Sequence, residues 1–410
     1  MSGTATWSRR SVIAGGAAVA GLGILARRSP AQARQLNWDG IQANAKGQVV
    51  QFNAWGGDQR INDYIAWAAG EIKARAGVEV RHVKLAETAE AVSRIVAEKA
   101  AGQETGGSVD LIWINGENFA ALKSQNLLFG PFVHLLPNFQ KVDPEEKPTT
   151  ILDFTIPTDG YESPWGMAQL VFFYDSARVK DPPRSMAALK SWAEAHPGRF
   201  TYPAPPDFLG VTFLKQALYE TTADPTRLLH PAGDHAAMVT EPLWGYLDSL
   251  HPSLWRKGAA FPKSSTEMRQ LVADDAADIY FAFNPGDASS AIAQKLLPDT
   301  MRPFVPNAGS IGNTHFVAIP FNSSAYEGAM VFADFLLSPE AQARKENADL
   351  WGDPTVLSMA RLTPDERKLF EDLPRGIATP TPEELGRPLP EPHPSWVPVL
   401  EQAWLKRYSA

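Results

Sequence analysis

Gly47-Gln48-Val49-Val50-Gln51-Phe52-Asn53-Ala54-Trp55-Gly56-Gly57-Asp58 is the stretch that decides the fold class. β-Branched and aromatic residues run as far as Trp55, and a Gly-Gly-Asp loop stops them, so the segment reads as a strand with a defined end. Beyond it, Ile61, Ile65, Ala68, Ala69 and Ile72 fall on one face of a helix spanning 61–76. The alternation then repeats: a strand over 78–83, a helix over 89–101, the almost wholly apolar strand Val109-Asp110-Leu111-Ile112-Trp113-Ile114, and a helix over 115–125 with Asn115 as candidate cap. Strand and helix in alternation predict an α/β architecture with a parallel sheet covered on both faces.

The pattern continues with less regularity. Residues 131–160 have no clear period, and Trp165 to Asp175 reads as one long strand. Helical spacing recurs over 185–195, 208–221 and 266–274, strands are expected over 277–283 and 315–320, and a helix over 325–337. The Pro- and charge-rich tail, 363–398, is expected to wrap a surface rather than build a core. In open α/β sheets ligands sit beyond the carboxyl ends of the strands, where strand-to-helix loops meet. That rule selects Trp55-Gly56-Gly57-Asp58, Asn115-Gly116-Glu117-Asn118 and Asn284-Pro285-Gly286-Asp287.

Composition removes whole classes of function. Among 410 residues there is no Cys, which excludes disulfides, thiolate nucleophiles, Fe–S clusters and every Cys-containing zinc site. The net charge of −8 repels a phosphate backbone, and no basic patch offsets it, so nucleic acid is not an expected partner. Residues 1–33 read as an address: Arg9-Arg10, an apolar Gly/Ala-rich run from Ala14 to Ala26, then Ala31-Gln32-Ala33. The run is too short for a bilayer span of about 20 residues and fits a twin-arginine signal peptide with an Ala-x-Ala cleavage site. Cleavage after Ala33 leaves 34 bases against 46 acids, an acidic body with no membrane-spanning stretch.

The order of these features resembles a known family. The export signal, the 49–55 strand with its Gly-Gly-Asp loop, Val109 to Trp113, the crossover-like run from Ser163 to Asp175, and Ala329-Met330-Val331-Phe332-Ala333-Asp334-Phe335-Leu336-Leu337-Ser338-Pro339-Glu340-Ala341-Gln342 are together similar to the family-1 extracellular solute-binding proteins of bacterial ABC importers, in the branch related to thiamine, iron and polyamine binders. The resemblance implies a two-lobe, type II periplasmic-binding-protein fold with the ligand cleft between lobes joined by hinge strands. It divides the chain into an N-lobe of 40–160 plus 312–345, a C-lobe of 165–310 and a C-terminal segment, 346–410, packing on the lobes. It also implies capture of a small organic solute by lobe closure and delivery to a cognate ABC permease in the inner membrane, by a periplasmic monomer with no cofactor, no metal and no catalysis. The clustered tyrosines of ferric binders are missing, as is a lipoprotein cysteine.

The loops between the lobes carry Trp55, Asp58, Asn62, Trp113, Asn115, Glu117, Asn118, Tyr161, Trp165, Tyr280, Asn284, Asp287 and Asn313 as candidate ligand contacts. Aromatic faces with carboxylates suit a partly apolar cation such as a thiazolium, a quaternary ammonium or a polyamine. Trp113 and Tyr280 equally fit an ordinary core. Asp58 and Glu117 also fit helix starts, and the free N–H groups there keep a phosphate or carboxylate on the ligand open. The rival class is a secreted hydrolase or cofactor-bearing enzyme. Ala308-Gly309-Ser310-Ile311-Gly312 resembles a nucleophile elbow, but Ser310 precedes a strand instead of following one. His230 and His235 stand in a loop without a metal motif, and Asp274, Asp275 and Asp278 read as a solvated run.

Overall fold

The computed structural model describes residues 37–409; the expected signal peptide lies outside the described residues. Ten strands follow in order: β1 Val49–Trp55, β2 Glu79–Leu85, β3 Leu111–Ile114, β4 Leu152–Asp153, β5 Ile156–Pro157, β6 Glu162–Gln169, β7 Val171–Asp175, β8 Ile279–Ala282, β9 Met301–Phe304 and β10 Gly312–Ala318. They build two main sheets, one of order β2-β1-β3-β10-β6 and one of order β8-β7-β9, with β4 and β5 as a small hairpin.

The first sheet carries the expected helices: Gln59–Ala76 joins β1 to β2, Thr88–Ala100 joins β2 to β3, and Gly116–Ser124 follows β3. β1 runs parallel to β2 and β3, as the alternation predicts. β10 runs antiparallel to β3 and to β6, so the sheet is mixed. The second sheet is antiparallel throughout. Its strands arrive by hairpin-like reversals and long helical excursions, not by repeated strand-helix-strand units.

The run read as one strand over 165–175 divides at Leu170. β6 pairs with β10 in the first sheet, whereas β7 pairs with β8 and β9 in the second, so residues 165–169 belong with the first sheet. The chain thus crosses between lobes at Gln169–Leu170, where the Leu170 N–H donates to the Ile311 carbonyl at 2.8 Å. A further segment runs beside the 310–312 pass: the Leu389 N–H donates to the Ser310 carbonyl at 2.8 Å, and the Gly312 N–H donates to the Leu389 carbonyl at 3.0 Å.

Each lobe has its own core. Phe52, Ile65, Trp165, Phe332 and Trp351 anchor one; Phe172, Phe213, Leu243, Phe281 and Met301 anchor the other. The C-terminal helix Trp396–Tyr408 corrects the surface-strap expectation for the tail's end, because Trp396, Leu400 and Trp404 are buried in the second core. Proline-rich composition marks only the connection, 374–394, that leads into this helix.

Candidate ligand-binding cleft

Between the lobes lies a cleft of about 400 Å³, lined from both sides and from the C-terminal helix. The end of β1 delivers Trp55, whose indole folds back over Gly57; a Cβ there would come within 2.4 Å of the ring, so only glycine allows this packing. Asp58 caps the 59–76 helix by accepting from the Arg60 N–H at 2.8 Å. Gly116, at φ +63°, turns the chain after β3 with the Phe154 ring against it. Its N–H donates to Asp153 at 2.6 Å.

Nine of the expected contacts line this cleft: Trp55, Asp58, Trp113, Asn115, Glu117, Asn118, Tyr280, Asn284 and Asp287. Four do not. Asn62 is buried and donates to the Gly56 carbonyl at 3.0 Å, holding the loop. Tyr161 packs against the apolar cluster around Phe119 and Leu122. Trp165 is fully buried, edge-on to Trp113 at 4.9 Å, and so supports a cleft ring from behind. Asn313 is buried against Glu391, to which it donates at 3.0 Å. Asn62 lies in the first turn of the 59–76 helix, Tyr161 just before β6, Trp165 mid-way along β6 and Asn313 at the start of β10, and each is taken up by packing or a hydrogen bond away from the cleft.

Two electrostatic groups occupy the cleft. In the first, Asp58 and Arg60 from the N-lobe meet Arg269 and Asp287 from the C-lobe. Arg60 reaches Asp58 at 2.7 Å and Asp287 at 2.5 Å; Arg269 reaches Asp287 at 2.8 Å and Asp58 at 3.2 Å. Tyr280 adds a hydrogen bond to Asp287 at 3.0 Å. Burial alone would raise both acids, but the arginines hold them below the usual carboxylate range. Asp58 and Asp287, expected as counter-charges for a solute, are therefore matched already, and act as a clasp between lobes.

The second group is not matched. Glu87, Glu117, Asp207 and Glu401 border the cleft, and among the described residues no Lys, Arg or His forms an ion pair with any of them. Burial, then the charges of Asp207, Glu401, Glu90 and Glu117, pushes Glu87 up to about 8. Burial and the Glu117 charge push Glu401 to about 7. Burial raises Asp207 to about 6 against the pull of two backbone N–H groups, and Glu117 is raised as well. The lysine bordering them, Lys215, is 1% exposed and committed to Glu391 at 2.6 Å. Around these acids stand the rings of Trp55, Trp113, Phe154, Phe208, Phe283 and Trp351.

Behind Gly116 sits a further pair of buried acids, Asp153 and Glu162. Burial pushes both well above the ordinary carboxylate range, and neither Glu162 oxygen has a hydrogen-bond partner.

Sequence reasoning missed Glu87, Asp207, Arg269, Trp351 and Glu401. Glu87 follows β2 and precedes a helix, so the strand-end rule would have found it; Asp207 opens a helix after Pro205-Pro206 and carried a cap signal. The enzyme-like motifs dissolve. Ser310 is fully buried and accepts from Gln169 at 3.1 Å; Asp274 and Asp275 are exposed, as expected of a solvated run, while Asp278 is buried and, with Asp275, ion-paired to Arg178 and Arg199. Among the described residues no group of three or more His, Asp or Glu is placed to hold a metal ion, and no helix is long and apolar enough to cross a membrane.

Two discontinuous α/β lobes around an open cleft are the architecture of a binding protein. Residues 67–369 match the bacterial extracellular solute-binding protein family, and the chain belongs to that family. It is 46% identical over 373 residues to protein YnjB of Escherichia coli (strain K12), covering 91% of this chain and 94% of that protein. Solved structures share the fold at low identity. The Tp0655 (TpPotD) lipoprotein of Treponema pallidum superposes with a TM-score of 0.65 at 14% identity over 87% of this chain and 98% of its own. The periplasmic binding protein AfuA of Actinobacillus pleuropneumoniae, with fructose-6-phosphate bound, gives 0.62 at 14% over 88% and 99%. The spermidine/putrescine substrate-binding protein PotD of Streptococcus pneumoniae gives 0.54 at 15% over 87% and 99%. The fold is thus the two-lobe, type II one, and the chain is an extracellular solute-binding protein, not an enzyme.

Proposed function

We propose that the cleft captures a small organic cation, of thiamine- or polyamine-like chemistry, and presents it to a cognate permease. The observation that carries this reading is the set Glu87, Glu117, Asp207 and Glu401: four carboxylates around one cavity with no cation of their own. Burial raises all four, and neighbouring acids add to the shift of Glu87 and Glu401; an entering cation removes that repulsion and offsets the cost of the buried charge. Aromatic faces on the same walls add stacking and cation–π attraction, about 0.5–2 kcal/mol per ring. The names of relatives that bind spermidine and putrescine agree with this charge; the fructose-6-phosphate of AfuA is the contrasting case.

The mature protein is proposed to work in the periplasm as a monomer, exported by the twin-arginine route and without nucleic-acid contact, on its basic leader and acidic body. Residues 40–169 with 312–345 and residues 170–310 are proposed to move as the two lobes, the 165–169 run going with the first sheet and not with the C-lobe, joined at the 169–170 and 311–312 crossings and closing on the solute. Calorimetric titration of the purified protein with thiamine, choline, diamines and sugar phosphates tests the reading. Binding of cations and not of phosphates is expected; tight binding of a phosphorylated or carboxylate-only solute overturns it.

A further inference from the structure

The matched family span ends at residue 369, yet the cleft has a wall beyond it. The Trp396–Tyr408 helix buries Trp396, Leu400 and Trp404 in the C-lobe core, which fixes its rotation. Val397 and Glu401, one turn apart, then share the face that lines the cleft. Val397 packs with Phe154 and Val211, and so spans both lobes' side chains. Glu401 lies within electrostatic reach of Glu87 and Glu117, both on the opposite lobe at helix starts. Glu117 is the more deeply sunk of these acids and Glu401 the more open.

Charge counting gives the wall a purpose. The Asp58, Arg60, Arg269 and Asp287 clasp is neutral within itself, and so is Lys215 with Glu391. What is left over is four carboxylates, one of them supplied by the tail. A solute with one positive centre, seated at the deep acid, leaves Glu401 facing Glu87 without a cation between them. A solute with a second positive centre a few bonds away meets both demands at once.

On the reading of the cleft as a cation site, we propose that the C-terminal helix is its selectivity wall, and that Glu401 sets a preference for solutes with two positive centres over those with one. Glu401 touches the solute's outer charge; Val397 closes the apolar gap between the two charges.

Calorimetry on the full chain tests this with 1,4-diaminobutane and 1-aminobutane as a length-matched pair. Wild type is expected to favour the diamine by about 10-fold or more, equivalent to about one carboxylate contact. Glu401→Gln is expected to lose most of that preference, weakening the diamine by about 10-fold more than 1-aminobutane, and Glu401→Asp to regain part of it. Glu401 is half-buried and makes no ion pair, and both variants keep a polar side chain of similar or smaller size there, so folding is expected to survive both. Equal losses for both amines, or no loss for either, overturn the role of Glu401. A wild type that binds amines without preferring the diamine overturns the selectivity alone; a wild type that binds no organic cation overturns the cation reading and this inference together.

Discussion

Arg60 donates to Asp287 across the cleft at 2.5 Å, joining two residues 227 positions apart in sequence and on different lobes. Both side chains are nearly excluded from solvent, and each has a second partner of opposite charge. The lobes therefore meet through a four-membered neutral clasp.

Asp287→Ala leaves Arg60 and Arg269 with one carboxylate between them, an uncompensated buried charge. The loss expected is about 3–5 kcal/mol of unfolding free energy, read by urea titration. X-ray scattering on the same variant should show a larger radius of gyration, because the cross-lobe bonds are gone. A loss below about 1 kcal/mol would mean the clasp is solvated and idle.

The clasp acids have folded pKa values below their unfolded ones. Their contribution is present above the unfolded value, near 4, and is lost as pH falls through the lower folded value. The cleft acids have the opposite sign. Glu87, at about 8, and Glu401, at about 7, favour the folded state when protonated, so ligand-free stability should decline as pH rises from about 5 to about 8. Glu87→Gln should flatten that slope. Cation binding should release protons near pH 7, seen as a buffer-dependent heat in calorimetry; a heat independent of the buffer would refute the raised values.

Trp113 and Trp165 meet edge to face at 4.9 Å but have different duties. Trp113→Ala should weaken cation affinity by about 1–2 kcal/mol, roughly 5- to 30-fold, with a smaller effect on stability. Trp165→Ala opens a cavity among Phe52, Tyr64 and Trp351, and should cost about 3–5 kcal/mol of stability. Comparable affinity losses with unchanged melting in both would reverse the assignment.

Glu162→Gln removes a carboxyl that burial, together with the Asp153 charge, pushes up. Its folded pKa exceeds the unfolded one, so it disfavours folding increasingly as pH rises above about 4.5. The variant should melt higher than wild type at pH 8 and about equally at pH 4. A lower melting point at pH 8 would show that the ionised carboxylate has a stabilising partner.

Much of the first sheet could be read from residue order, because Val49 to Trp55 and Leu111 to Ile114 are apolar runs stopped by Gly or Asn. The division at Leu170 could not be read, since Trp165 to Tyr174 stays apolar whether the strand continues or changes sheets. Trp55, Trp113 and Glu117 were found because a strand end places its next side chains at the sheet's rim. Asn313 at the start of β10 stands near a strand end yet faces inward, and Trp165 lies mid-way along β6, so neither side chain's surroundings could be read without what packs behind it. Glu401 left no signal: a glutamate on an amphipathic helix looks the same beside solvent and beside a cleft. Arg60 and Asp287 became partners only through the meeting of two lobes.

Leu389 adds a third strand-like segment beside the crossing between the lobes, its N–H and carbonyl both bonded to the 310–312 pass, at Ser310 and Gly312. The chain is made from the other end, so the two passes at 169–170 and 311–312 exist before the third has been synthesised. The joint about which the lobes would turn is thus among the last features completed, and a chain truncated before residue 389 would hold both sheets but an unfinished pivot.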